Sequence, residues 1–193
     1  MQNSLSIDSE YLGDPSLHRV RATLDELLAE LPPAPLDLGR LAWMVRRTEE
    51  GGRRESLREA VLDPALGLPG DAWQRRTEPK IEAQLTVMEY EIARMIANGQ
   101  PLELFGDQLF IDLDLSARNL PIGSRLRIGE ALLEVTPKPH NGCKKFRSRF
   151  GEDALYFVSD PERRYRNFRG VYMCVIERGV VRVDDEVVVL SRG

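Results

Sequence analysis

One cysteine of this chain lies among residue types that favour reactivity. Cys143 follows a strand-like run at residues 132–136 and a loop that is shaped by Pro137 and Pro139. Four cations come soon after it: Lys144, Lys145, Arg147 and Arg149. A thiol beside positive charge is stabilised as thiolate, the form that attacks electrophiles, carries sulfur and binds soft metals. We therefore predict that the loop presents Cys143 outward as a reactive thiol.

His140 and Gly142 share the loop that precedes this thiol. A neutral His140 could accept the thiol proton and a charged one could stabilise the thiolate, or the residue could only shape the loop. Gly142 could let backbone N–H groups approach an anion, or it could only permit the turn. Cys174, by contrast, lies inside an apolar run, and we expect an inert thiol in the core.

The charge of the chain is unevenly distributed. The net charge is −4, which argues against general nucleic-acid binding. Between residues 137 and 170, however, there are nine lysines and arginines and four acids, so this segment carries +5 and the rest of the chain −9. A basic segment in an acidic protein indicates a local site for a small anionic ligand, or else a solvated basic surface.

Length and composition indicate one globular domain with an N-terminal extension. The chain has 193 residues, of which 42% are hydrophobic, and we expect an extension at residues 1–37 and the main domain at residues 38–193. No apolar stretch approaches the ~18 residues that cross a bilayer, and the N-terminus lacks the features of a signal peptide. We therefore expect a cytoplasmic protein that does not bind membranes. The two cysteines have no metal-ligand spacing, so a zinc site is not expected.

Two segments show the periodicity of amphipathic helices. In residues 16–31 the leucines fall on one face, and two prolines end the pattern. A second helix is predicted from Thr86 to Asn98, where Thr86 and Glu89 have capping-box spacing and Asn98-Gly99 ends the helix.

Most of the remaining chain has the period-two pattern of strands. Residues 108–115 alternate apolar and polar, which predicts a half-buried strand with Asp112 and Asp114 on a solvated face or, alternatively, as paired carboxylates. Gly129-Glu130 predicts a hairpin turn. Further strands are predicted in four runs: Leu41–Val45, Val171–Ile176, Val180–Val183 and Glu186–Leu190. This pattern indicates a β-rich α+β fold, with a curved or barrel-like, mostly antiparallel sheet and a few peripheral helices.

Several short segments, in their order and spacing, resemble the MOSC domain, which is named for the C-terminal domain of molybdenum cofactor sulfurases. The resemblance runs from about Leu38 to Leu190. It is carried by residues 67–71, 84–88, 119–130 and 133–136, the Cys143 loop, and residues 149–151, 169–172 and 179–185. Two positions depart from the family pattern. Gly142 stands where many members have proline, and Trp73 stands where members with a Gly-Asp-x-His element have the histidine.

The resemblance implies a β-rich, barrel-like fold and a role for Cys143, which matches the hallmark cysteine of the family. In better-understood members this cysteine binds the molybdenum of the pterin cofactor (molybdopterin), or is proposed to carry sulfur as a persulfide. Basic and polar residues around it hold the pterin phosphate. By this resemblance the candidates for cofactor binding are Arg118, Asn119, Asn141, Lys144, Arg147 and Arg149.

Three functions are consistent with these patterns. The first is binding of the molybdenum cofactor through Cys143 and reduction of N-hydroxylated compounds, with electrons from a separate redox partner. The second is a sulfur carrier for metal–sulfur cofactor assembly, in which a donor such as a cysteine desulfurase would load a Cys143 persulfide. The third is a non-catalytic anion-binding module. The chain would thus be an oxidoreductase, a sulfur transferase or no enzyme, and we favour the first.

Overall fold

The computed structural model describes residues 12–48 and 53–193, so residues 1–11 of the predicted extension lie outside the described part of the chain. The described strands are β1 Leu38–Arg47, β2 Arg54–Leu57, β3 Glu59–Leu62, β4 Leu85–Glu89, β5 Leu109–Asp112, β6 Arg125–Ile128, β7 Ala131–Val135, β8 Val171–Glu177, β9 Gly179–Arg182 and β10 Glu186–Ser191. The described α-helices are α1 Arg21–Glu30, α2 Tyr90–Ala97, α3 Lys144–Phe150 and α4 Glu152–Ser159. Within these ranges, no helix combines the length and the apolarity needed to span a bilayer.

Seven of the strands close into a barrel in the order β1, β10, β6, β7, β8, β4, β5 and back to β1. β1 can close the barrel because it is ten residues long and pairs along both edges. Its first residues, 38–40, pair with β10, while residues 40–44 pair with β5. All pairings in the ring are antiparallel except that of β4 with β5. The predicted β-rich, barrel-like and mostly antiparallel fold is confirmed.

The other strands extend this barrel. β2 pairs with the C-terminal end of β1, at residues 44–47, and so continues the sheet beyond the part of β1 that contacts β10. β3 and β9 form a separate two-stranded sheet. The hairpin predicted at Gly129-Glu130 joins β6 and β7.

Alternate residues of β5 and its continuation pack into two different cores. Leu109, Ile111 and Leu113 belong to the cluster that fills the barrel, whereas Phe110 belongs to a second cluster between the barrel and the helices. Phe110 is fully buried there, edge-on to Phe105 with ring centroids 5.9 Å apart. The prediction of a half-buried strand is therefore wrong at Phe110, because helices cover the outer face of this part of the barrel.

The second predicted helix forms only from Tyr90 onward. Thr86 lies in β4, where its N–H donates to the Gln108 side chain at 2.9 Å and its hydroxyl donates to the same oxygen, so the predicted capping box does not form. The C-terminal end agrees with the prediction. Asn98 has a left-handed backbone with φ of 50°, and its N–H donates to the carbonyl of Arg94.

The basic segment after Cys143 is helical, which its sequence pattern did not indicate. α3 and α4 place Phe146, Phe150 and Phe157 in the second core, where Leu24 of α1 is also buried. Phe146 and Phe150 have the i, i+4 spacing of a helix face. The pattern was missed because charged residues surround both rings in the sequence.

Candidate functional site

The end of β7 and the start of α3 hold the loop that carries Cys143. Thr136 anchors the loop at β7, since its N–H donates to the carbonyl oxygen of Tyr172 at 3.0 Å and its hydroxyl donates to that of Glu82 at 2.7 Å. Cys143 is the residue before α3 and has an extended backbone with φ of −138°. Its carbonyl oxygen accepts from the N–H of Arg147 at 3.0 Å. Cys143 is exposed at this junction of loop and helix.

Gly142 lets the same loop pack closely on α4. A Cβ atom at this position would lie 2.3 Å from Cδ1 of Leu155 and 3.3 Å from Oγ of Ser159. Gly142 is not among the glycines with a positive φ. A larger residue here would have to displace the Leu155 side chain of α4, so the constraint is steric and does not come from a left-handed turn.

A cavity of about 240 Å³ lies beside Cys143, and we call it the Cys143 cavity. The six cations that line it are Arg47, Arg54, Arg76, Lys145, Arg149 and Arg169. Asp107 is the one carboxylate among its lining residues in the described part of the chain. Such a concentration of one sign of charge in a concave site attracts anions.

Two buried ion pairs stiffen the wall of this cavity. Arg47 Nη2 lies 2.5 Å from Oδ1 of Asp71, and Arg169 Nη1 lies 2.7 Å from Oδ2 of Asp107. Both carboxylate side chains are only 1% exposed. Burial alone would raise the pKa of Asp71, but the hydrogen bonds and charge of Arg47 lower this pKa below its ordinary value. The guanidinium groups of Arg47 and Arg169 are therefore held in place in the wall of the cavity.

The other four cations of the cavity do not belong to these two ion pairs. Arg54 and Arg149 lie side by side, because both donate through Nη1 to the carbonyl oxygen of Leu104, at 3.2 and 2.9 Å. The side chains of Arg76 and Lys145 have no ion-pair partner within residues 12–48 and 53–193. Arg76 and Lys145 thus give the cavity positive charge beyond that of its two internal ion pairs.

His140 lies in the wall between these groups as a neutral imidazole. Its side chain is 8% exposed, its Nδ1 lies 3.7 Å from Oδ1 of Asp107, and its ring lies 4.7 Å from the ring of Tyr172. Burial and the charge of Arg169 outweigh the attraction of Asp107 and lower the pKa of His140 to about 3. The ring is therefore neutral at pH 7 and only weakly basic, so an imidazolium beside the thiol is not supported, while its roles as a proton acceptor or in shaping the loop stay predictions.

Three polar atoms of this wall have no hydrogen-bond partner although they are buried: His140 Nδ1, Asp107 Oδ1 and Arg169 Nε. Buried polar atoms are nearly always paired, and exceptions cluster where function requires them. All three residues line the Cys143 cavity. The wall is thus a polar surface whose hydrogen-bonding capacity is not used up within the protein.

The structure brings three of the residues named from the sequence together in this cavity. Cys143, His140 and Arg149 all line it. Arg149 is 5% exposed. Lys145 also lines the cavity, whereas Lys144, which is exposed at the start of α3, does not.

The other residues that the resemblance suggested for the cofactor lie elsewhere. Arg118 stacks on the ring of Tyr165 at 4.2 Å. Asn119 is buried, and its amide donates to the carbonyl oxygens of Leu36 and Asp114, both at 2.9 Å.

Asn141 and Arg147 are also directed away from the Cys143 cavity. Asn141 accepts a hydrogen bond from Arg164 at 3.2 Å. Arg147 is exposed and lies 3.7 Å from Glu152.

Several cavity residues were not singled out in the sequence: Arg47, Arg54, Arg76, Asp107 and Tyr172. They come from strands and loops that are far apart in the chain, so no local motif connects them. Arg169 and Tyr172 lay within a segment that carried the family resemblance, which was the only indication available. The fold, and not the local sequence, assembles this part of the site.

The residues around Cys143 fit a metal that is bound mainly by the other ligands of a cofactor. Within the described ranges, no three His, Cys, Asp or Glu side chains converge on a point where they could hold a metal ion. Cys143 could therefore supply a single soft thiolate ligand. The surrounding cations fit an anionic group on the rest of such a cofactor.

Comparison with known proteins gives a family and a fold. The family model described as the MOSC domain matches residues 71–188, more than half of the chain. A search of curated protein sequences gave no match.

Solved structures have the same fold at low sequence identity. The YuaD protein from Bacillus subtilis is 17% identical, with a TM-score of 0.53 over 79% of this chain and 95% of that one. YiiM from Escherichia coli is 24% identical, with a TM-score of 0.52 over 80% of this chain and 71% of that one. At these identities the similarity shows the fold alone.

Proposed function

Because the chain belongs to the MOSC domain family, we propose that it binds the molybdenum cofactor in the Cys143 cavity and acts in the reduction of N-hydroxylated compounds. MOSC domains as a family are associated with binding of this cofactor. The observation that carries the proposal is the position of Cys143, exposed beside a cavity in which six cations accompany one carboxylate. A soft thiolate and a cationic surface are the two features that a molybdenum centre with an anionic pterin phosphate requires.

The dimensions of the cavity suggest which part of the cofactor it would hold. Its volume of about 240 Å³ is below the ~300–1,000 Å³ of sites that enclose a whole ligand. Lys145, Arg76 and Arg149 would bind the phosphate inside, while Cys143 would bind the metal at the mouth. When bound, the cofactor supplies a redox centre at this position. His140 would line the same cavity as a neutral, weakly basic ring.

The protein would need a separate partner for this reaction. Among the described residues, no group of His, Cys, Asp and Glu side chains could hold a second metal ion, and both cysteines are free thiols. We propose that a reductase delivers the electrons, and that the protein works in the cytoplasm, where thiols stay reduced.

The exposure of Cys143 favours a second candidate, the sulfur carrier. The Cys143 thiolate would attack the outer sulfur of a donor persulfide, and the donor, such as a cysteine desulfurase, would leave as its own thiolate. The product would be a Cys143 persulfide. A donor protein can reach only a cysteine that is accessible, and Cys174 is not.

One set of measurements separates these candidates. Molybdenum content and pterin fluorescence should be measured on wild type, Cys143→Ser and the control Cys174→Ser, all purified from a host that makes the cofactor. We expect molybdenum in the wild type and in Cys174→Ser, and in Cys143→Ser residual pterin with altered metal coordination. Wild type that lacks molybdenum but takes up labelled sulfur from a persulfide donor would support the carrier instead. If it does neither, the non-catalytic anion-binding module remains.

A further inference from the structure

A second cavity, of about 250 Å³, lies on the other side of His140 and Arg169. These two residues line both this cavity and the Cys143 cavity. The rest of the lining comes from the loop before Cys143, from the end of α4 and from the 3₁₀ helix Pro161–Arg166 with the residue that ends it. We call this second space the Arg164 cavity.

Hydrogen-bond donors dominate the Arg164 cavity. Arg164 and Arg169 contribute guanidinium groups, Asn141 an amide and Ser159 a hydroxyl. No carboxylate lines this cavity in the described part of the chain. Pro139 and Val158 give it one apolar side.

Arg164 is positioned but not neutralised. Its Nη2 donates to Oδ1 of Asn141 at 3.2 Å, and it has no ion-pair partner among the described residues. The neighbouring arginine differs in this respect, because Arg163 binds Asp25 and Asp160 at 2.7 and 3.2 Å. A planar guanidinium that is oriented by a neutral amide can receive a carboxylate or phosphate through two parallel N–H groups.

Arg169 supplies a second, buried positive charge in the shared wall. It is 7% exposed, and its Nε has no partner, whereas its Nη1 is bound to Asp107. The cavity is therefore lined by a buried side chain with an unused donor and by a more exposed arginine that is already oriented.

We propose that the Arg164 cavity binds the anionic group, a carboxylate or phosphate, of a small molecule whose apolar part lies against Pro139 and Val158. This goes beyond the proposed function and does not rest on it, because the wall of His140 and Arg169 separates this cavity from the Cys143 cavity. The ligand class is a compact organic anion. Space for about eight waters, at ~30 Å³ each, limits its size.

The test uses two probes with the same ring and different anions, benzoate and phenyl phosphate. Their binding to the full-length protein should be followed by isothermal titration at constant ionic strength. We expect saturable binding of at least one probe, and at least tenfold weaker binding to Arg164→Gln. Arg164→Lys should lie between the two, because it keeps the charge but not the paired donors. The preferred probe identifies the carboxylate or the phosphate as the recognised group.

Two matched controls carry the same charge change. Arg166→Gln alters the same 3₁₀ helix, but Arg166 stacks on Phe168 at 5.1 Å and does not line the cavity. Lys145→Gln alters only the Cys143 cavity. Arg166→Gln should bind the probe within twofold of wild type, and Lys145→Gln should keep the Arg164-dependent part of the binding. No binding in wild type, equal binding to Arg164→Gln, or loss of all binding in Lys145→Gln would overturn the inference.

Failure of this inference can be told apart from failure of the proposed function. Absence of molybdenum with Arg164-dependent probe binding would end the proposed function, while the anion site stands. Molybdenum in the wild type without Arg164-dependent binding would end the inference alone.

Discussion

The two cysteines of this protein lie in opposite surroundings. Cys143 is exposed at the start of α3, beside a cavity lined by six cations. Cys174 is 8% exposed in β8, between β7 and β4. Burial, and then the charge of Glu134, raise the pKa of the Cys174 thiol. Environment, and not residue type, decides which of the two can act as a nucleophile or metal ligand.

The ion pairs near the two thiols differ in the same way. The side chains of Arg169 and Asp107, in the wall of the Cys143 cavity, are 8% and 1% exposed. Those of Arg125 and Glu134, near Cys174, are 49% and 31% exposed. The Arg169–Asp107 pair is therefore largely shielded from water, whereas the Arg125–Glu134 pair near Cys174 is an ordinary surface ion pair. This difference predicts where substitutions will be costly.

The largest expected effect is on stability. Asp107→Ala leaves Arg169 buried without its partner, which should cost about 3–5 kcal/mol in the free energy of unfolding. Glu134→Ala breaks the exposed pair with Arg125 and should cost no more than about 1 kcal/mol. Urea denaturation at pH 7 measures both values. Equal losses in the two variants would show that the wall of the cavity is solvated rather than buried.

A second comparison concerns thiol reactivity. Iodoacetamide at pH 7 should modify Cys143 at least ~100-fold faster than Cys174, since access and thiolate fraction both govern the rate. Mass spectrometry of the labelled peptides gives the two rates in one sample. If Cys174 reacts first, or if neither reacts, the assignment of Cys143 as the active thiol fails.

A comparison of two adjacent lysines tests where the anion site lies. The resemblance suggested Lys144, but only Lys145 lines the Cys143 cavity. Lys145→Ala should weaken binding of inorganic phosphate by about 1.5–3 kcal/mol, the range for charge-assisted hydrogen bonds. Lys144→Ala serves as the matched control and should have little effect. Titration calorimetry would decide between them, and the reverse order would move the site out of the cavity.

The smallest expected effect is a pH dependence of stability from His140. Its pKa is about 3 in the folded protein and ~6.5 in the unfolded chain, so between these values only the unfolded chain binds the proton. Stability from this group is therefore complete above pH 6.5 and is lost as the pH falls, by about 2 kcal/mol between pH 7 and pH 5.

Glu89 makes stability depend on pH in the opposite direction. Burial raises its pKa to about 7 and favours its protonated form in the folded state, so its contribution to stability is lost as the pH rises. The difference between wild type and His140→Gln isolates the contribution of the histidine. Unfolding free energies at pH 5, 6 and 7 test this prediction. Parallel profiles for the two proteins would contradict the burial of His140 as a neutral ring.

The sequence predicted the barrel better than it predicted the site. Strand patterns and the Gly129-Glu130 hairpin are local, so period-two alternation was sufficient to find them. α3 was missed because Phe146 and Phe150 stand among charged residues that obscure a helix face. Cys143 and His140 could be found because they share one loop. Arg47 and Asp107 could not, since they meet the thiol only after the barrel has closed.

Because β1 closes the barrel, it limits where the chain can be truncated. The part of the chain that the family model recognises begins at residue 71, whereas β1 ends at Arg47. A fragment limited to the recognised residues would leave β5 and β10 with unpaired edges, and exposed edges of this kind promote aggregation. It would also lack Arg47 and Arg54. The boundary of the recognisable family is thus not the boundary of the folding unit, and domain swaps with relatives should carry β1 along.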